Sequence, residues 1–185
     1  MYYLIFVSFF VLFSCTGKDL KVYKPEEISL QADKVFITGR SLKKEESSKH
    51  KKEIDELLNK VLQGVFNKNL NILLELSHPK KGIYVDLKAH WDRKRLETEL
   101  SSKDSYFETY FFNREKLVAV KQTEDVRTVR ELLLYSGGLI IHYYFDGDEA
   151  CELKLEFKDN KTLAYELNNP YFIRVDGKWY IYRMF

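Results

Sequence analysis

The sequence predicts an α+β fold in which N-terminal helices pack on a curled antiparallel sheet of four or five strands. Three observations predict it. From Ile54 to Phe66 the apolar residues recur at spacings of three and four, one continuous stripe on a helix. After Leu139 the period changes to two: Cys151, Leu153, Leu155 and Phe157 alternate with Glu152, Lys154 and Glu156, as on a strand with one buried face. Finally, Asp176-Gly177 separates two strand-forming runs, which is the signature of a type I′ hairpin turn with φ > 0 at both central residues.

The chain of 185 residues has the length of one domain with a short leader, and its 45% hydrophobic and 15% aromatic content suffices for a packed core. Its 30 basic and 28 acidic residues leave a formal charge of +2, which argues against a nucleic-acid partner. From Tyr2 to Phe13 every residue but Ser8 is apolar or aromatic. Such a run falls short of the roughly 20 residues that span a bilayer and suits the h-region of a signal peptide. It closes in Leu12-Phe13-Ser14-Cys15 and then turns polar. This resembles the lipobox of bacterial lipoproteins, with an aliphatic residue three before the cysteine and a small one beside the scissile bond. The resemblance implies residues 1–14 as signal peptide, Cys15 as the lipidated new terminus, and attachment to a membrane of the bacterial cell envelope. Buried acyl chains contribute about 0.8 kcal/mol per CH₂ to such attachment. If Cys15 carries lipid, Cys151 has no partner for an intramolecular disulfide.

Residues 15–50 read as a tether, mostly polar and charged, with one strand-like island at Val35-Phe36-Ile37 that can dock on the domain. The mixed-sign stretch from Lys43 to Lys52 reads as solvated linker and helix entry. Residues 51–185 form the expected single domain. Its first helix is the Ile54–Phe66 stripe; Asn67-Lys68-Asn69 breaks it, and Leu70 to Leu76 make a shorter helix ended by Pro79. Ser77 to Val85 turn into a short strand. Helices are expected at Arg93–Leu100 and Asp125–Tyr135, the second stopped by Gly137-Gly138. Strands follow at Leu139–Phe145, Cys151–Phe157, Thr162–Leu167, Tyr171–Val175 and Lys178–Met184.

The closing hairpin, Ile173-Arg174-Val175-Asp176-Gly177-Lys178-Trp179-Tyr180-Ile181, resembles the end of domains similar to nuclear transport factor 2 (NTF2-like). That resemblance implies a cone over residues 50–185 with a pocket between sheet and helices, for which His142, Tyr144 and Trp179 are the expected lining residues. Leu74 to Ile83, with its His78-Pro79-Lys80-Lys81-Gly82, is similar to an HPxxG segment of uncharacterised bacterial lipoproteins and supports the envelope reading.

The candidate chemistry is sparse. The four histidines, His50, His78, His90 and His142, show no helical metal-pair spacing and no HExxH, so no metal or cofactor is expected. His78 is expected to shape its turn through a ring hydrogen bond to nearby backbone. His142 shares a strand face with Ile140 and Tyr144, and the pattern leaves open which face is inward; inside a pocket it could act as a general base with a carboxylate. Cys151 sits on the apolar face as a small buried hydrophobe. Tyr106, Phe107, Tyr110, Phe111 and Phe112 cluster between charged residues, and further tyrosines are placed on the sheet, where they suit protein or glycan recognition. The expectation is thus a non-enzymatic, membrane-anchored lipoprotein that binds a protein, glycan or small ligand. The alternative is an NTF2-like hydrolase or isomerase with an apolar pocket.

Overall fold

The structure, a computed structural model, describes residues 36–37 and 47–185. The expected signal peptide, Cys15 and most of the tether lie outside the described residues. Helix α1 spans Ser47–Phe66. Its stripe of Ile54, Leu58, Val61, Leu62 and Val65 is fully buried, as the three-and-four spacing requires. A turn at Lys68, whose φ is +53°, ends it and leads to the short helix α2, Leu73–Leu76. Strands β2 (Ile83–Tyr84) and β3 (His90–Trp91) form a small antiparallel pair. Helix α3, Arg93–Ser101, starts on the side chain of Asp92, which accepts the Arg95 N–H. A π-helix at Glu108–Phe112 and helix α4, Arg114–Lys121, fill the stretch for which the pattern predicts no element.

Helix α5 covers Val129–Tyr135 and begins later than the expected Asp125. The cause is local. The Thr128 hydroxyl accepts the Glu131 N–H while the Glu131 carboxylate accepts the Thr128 N–H, a reciprocal capping box that fixes the start.

Strands β4 (Leu139–Asp146), β5 (Ala150–Phe157), β6 (Tyr171–Val175) and β7 (Lys178–Arg183) form the expected antiparallel meander. Asp176 and Gly177 at the last turn have φ of +50° and +80°, as a type I′ turn demands.

Two expectations are corrected. Thr162–Leu167 is no strand: Lys161–Glu166 is a 3-10 helix. Asn160 enters it in the left-handed region, its side chain donates to the Tyr135 carbonyl, and its own carbonyl accepts the Leu163 N–H, closing a tight turn. The sheet is also larger than four or five strands and is mixed. Its order is β1-β4-β5-β6-β7-β2-β3, where β1 is the two-residue strand Phe36–Ile37. β1 runs parallel to β4, and β2 parallel to β7. β1 falls on the strand-like island expected at Val35-Phe36-Ile37 and β2 in the short strand expected before Val85; their parallel pairing is set by distant backbone, which a local pattern does not register.

The strand period divides the sheet into two faces. Ile141, Tyr143, Cys151, Leu153, Phe157, Phe172, Trp179 and Ile181 are buried on the inner face and belong to one core with α1 and α5. Burial of such side chains contributes about 1.5–3 kcal/mol each relative to exposure.

Candidate functional site

The residues expected to line one pocket do not share one. His142 and Tyr144 project from the outer face of the sheet, because Ile141 and Tyr143 beside them take the inner one. Trp179 belongs to the inner face, buried, with its indole N–H donating to Nδ1 of His50 at 3.3 Å. His142 does meet a carboxylate: its Nε2 lies 3.3 Å from Oε2 of Glu156, and Nζ of Lys161 lies 3.4 Å from Oε1. The hydrogen bond from His142, followed by that from Lys161, holds the Glu156 carboxyl below its ordinary range. The pair sits on the open face of the sheet, partly exposed on both sides.

His78 behaves as the sequence suggests. Its Nδ1 accepts the N–H groups of Lys80 and Lys81, both at 3.1 Å. Cys151 is buried, and desolvation pushes its thiol up to about 12, so it stays protonated at neutral pH. Tyr165, expected on the sheet, stands on the 3-10 helix and is 82% exposed. On the outer face Tyr84, His90, Tyr171 and Tyr182 touch one another, with Tyr84 and Tyr182 edge-on at 5.3 Å.

A further candidate lies on the helical side. A cavity of about 400 Å³ opens between the π-helix, α4, the loop into α5 and the end of the 3-10 helix. Its floor is apolar, with Phe111, Leu117, Val129 and Leu132; its rim carries Asp86, Lys121, Asp125, Arg127 and Glu166. The π-helix explains one wall. Ser105 starts the helical turn that leads into it, its hydroxyl accepting the Glu108 N–H, and the Asn113 N–H reaches back five residues to the Glu108 carbonyl at 2.8 Å. The wider turn leaves Phe107 and Phe111 in the core beside Trp91 while Tyr106 and Tyr110 stack at 4.4 Å and line the cavity. Such wide turns inside helical segments occur often at functional sites.

Electrostatics organises the rim. Arg127 reaches both ways, one guanidinium nitrogen to Asp125 and the other to Glu166, each at 3.2 Å. That arrangement ties the loop before α5 to the 3-10 helix. Asp86 Oδ1 accepts the N–H groups of Lys88 and Ala89 at 2.7 Å, which fixes the carboxylate at the rim. The Lys121 ammonium lies over the Tyr110 ring, 5.4 Å from its centroid. Burial, and then the nearby charge of Asp86, push the Tyr106 hydroxyl well above its ordinary value, so at neutral pH it remains a phenol able to donate.

A second hollow of about 410 Å³ near the end of α1 is lined by Gln63, Asn67, Asn69 and Asn71 with Lys60, and Ile72 is its one large apolar wall. The described residues contain no group of three or more histidine, cysteine, aspartate or glutamate side chains that could hold a metal ion.

The aromatic cluster around Tyr106 and Tyr110 is visible in the sequence, and its spacing of four is the one local signal of this site. Asp86, Lys121, Arg127 and Glu166 carry no mutual spacing and are brought together by tertiary packing alone. No family model, curated protein or solved structure matches the chain.

Proposed function

We propose that the chain is a lipid-anchored binding protein of the bacterial cell envelope whose helical-side cavity takes a small ligand. The observation that carries the binding half is the cavity itself. Its volume falls within the roughly 300–1,000 Å³ of small-molecule sites, and it combines an apolar floor with a few fixed polar groups. Stacked phenols and the Asp125–Arg127–Glu166 bridge preset its walls, which lowers the ordering cost of binding. The anchoring half rests on Leu12-Phe13-Ser14-Cys15 after an apolar run. The competing hydrolase or isomerase reading retains one favourable observation, the His142–Glu156 pair, which lies on the open face of the sheet and lines neither hollow.

The test takes the chain expressed from its own gene. For the anchor, intact mass and membrane partition are compared between wild type and Cys15→Ala. Acyl mass on a chain starting at Cys15, lost in the variant, is expected; an unmodified soluble chain overturns the anchor. For the cavity, thermal shifts are recorded against a panel of amines, saccharides, amino acids and carboxylates, with wild type beside Val126→Trp, which fills the cavity mouth. At least one compound should raise the Tm of wild type alone. A panel that never distinguishes the two proteins removes the cavity as the binding site.

A further inference from the structure

We infer that the cavity selects a small organic cation, a primary or quaternary ammonium, and that Lys121 occupies its place in the unliganded protein. This inference rests on the reading of the cavity as a ligand site and adds the chemistry of the ligand.

The first observation is charge. Three carboxylates, Asp86, Asp125 and Glu166, face two cations, Lys121 and Arg127, around the cavity. Arg127 is committed to Asp125 and Glu166. Asp86 is held by backbone N–H groups, and among the described residues it joins no ion pair. If Lys121 swings away, three carboxylates remain against one guanidinium, and the lining carries a net negative charge. A neutral or anionic ligand would leave that surplus uncompensated, whereas an ammonium returns the lining to the charge it has with Lys121 in place.

The second observation is where Lys121 rests. It is an exposed residue in the last turn of α4, yet its ammonium lies over the face of Tyr110, a ring already stacked with Tyr106. The face of a phenol attracts cations through its ring quadrupole. The protein therefore fills this position with its own alkylammonium, at the end of a flexible four-carbon stem that can withdraw to solvent. An incoming ammonium of similar size meets the same ring and the Asp86 carboxylate, and its hydrocarbon part meets Leu117 and Phe111 below. Selectivity follows from replacement: what enters must do for Tyr110 what Lys121 did.

Isothermal titration of the full chain with choline, with its uncharged carbon analogue 3,3-dimethyl-1-butanol, and with cadaverine tests this directly. Choline or cadaverine should bind and the alcohol should not. Lys121→Met removes the resident ammonium without disturbing a buried contact, and should tighten cation binding about tenfold. Asp86→Asn should weaken it by a similar factor, with circular dichroism confirming that the variant folds. The inference is overturned if the alcohol binds as well as choline, or if Lys121→Met leaves cation affinity unchanged. If the cations fail while another compound binds wild type and not Val126→Trp, the cavity stands as a ligand site and the cation assignment falls. If nothing binds, both fall together.

Discussion

The inner face of the β4–β5–β6–β7 meander closes over Tyr143, Phe157, Phe172 and Trp179, while the same strands turn His142, Tyr144, Lys154 and Glu156 toward solvent. Both faces use aromatic and titratable residues, so composition does not separate them. Their partners do. Inside, Tyr143 donates a hydrogen bond to Asp55 of α1 and the Trp179 indole donates to His50, so each polar atom is matched to one helix position. Outside, His142, Glu156 and Lys161 form a looser ion cluster that water also reaches. The comparison teaches that stability is concentrated on one side of this sheet, which leaves the other side free to vary.

Phe172→Ala gives the largest test of that difference. Phe172 has no solvent exposure, and its truncation should cost about 3–5 kcal/mol of unfolding free energy in urea titration. A loss below about 1 kcal/mol would mean that the inner face does not carry the fold.

Asp55 sharpens the comparison with pH. Desolvation raises its pKa above the ordinary 3.8, outweighing the lowering effects of the Tyr143 hydrogen bond and of Lys51. The folded state thus holds the Asp55 proton more tightly than the unfolded one. The stability this contributes is fully present below pH 3.8 and is lost as pH rises through the folded value. Asp55→Asn should lack that loss, so the wild-type advantage over the variant should decline across this window and then level off. A difference that does not change with pH would remove Asp55 from the account.

Tyr144→Thr should have the smallest effect. Tyr144 is 43% exposed on the outer face, and threonine keeps the strand preference. Stability should move by no more than about 0.5 kcal/mol in the same titration. A larger loss would show that the outer face is packed against something in solution.

How much of this was legible in the sequence follows the same division. Wherever an element is half buried, burial imprints a period. The α1 stripe, the β5 alternation and the Asp176-Gly177 turn could all be read directly. The alternation around His142 left inward and outward open, and the structure decides it through Tyr143, which reaches Asp55. Thr162–Leu167 misled because Leu163, Tyr165 and Leu167 alternate in sequence, whereas Leu163 is buried and Tyr165 stands in solvent on a turn set by Asn160. The cavity was least legible. Its rim runs from Asp86 to Glu166, and nothing local links those residues; only the Tyr106–Tyr110 spacing marked the place.

The two parallel pairs have a consequence for the order in which the chain can fold during synthesis. About a hundred residues separate Tyr84 from its partner Arg183, and a similar length separates Phe36 from Ile140. A nascent chain that has emerged only as far as β5 possesses α1 but lacks β7, the strand on which β2 pairs and from which Trp179 reaches His50. β2 and β3 therefore join the sheet late, after β7 has left the ribosome. Until then the chain's apolar stripes are exposed to whatever holds or transports an unfolded chain.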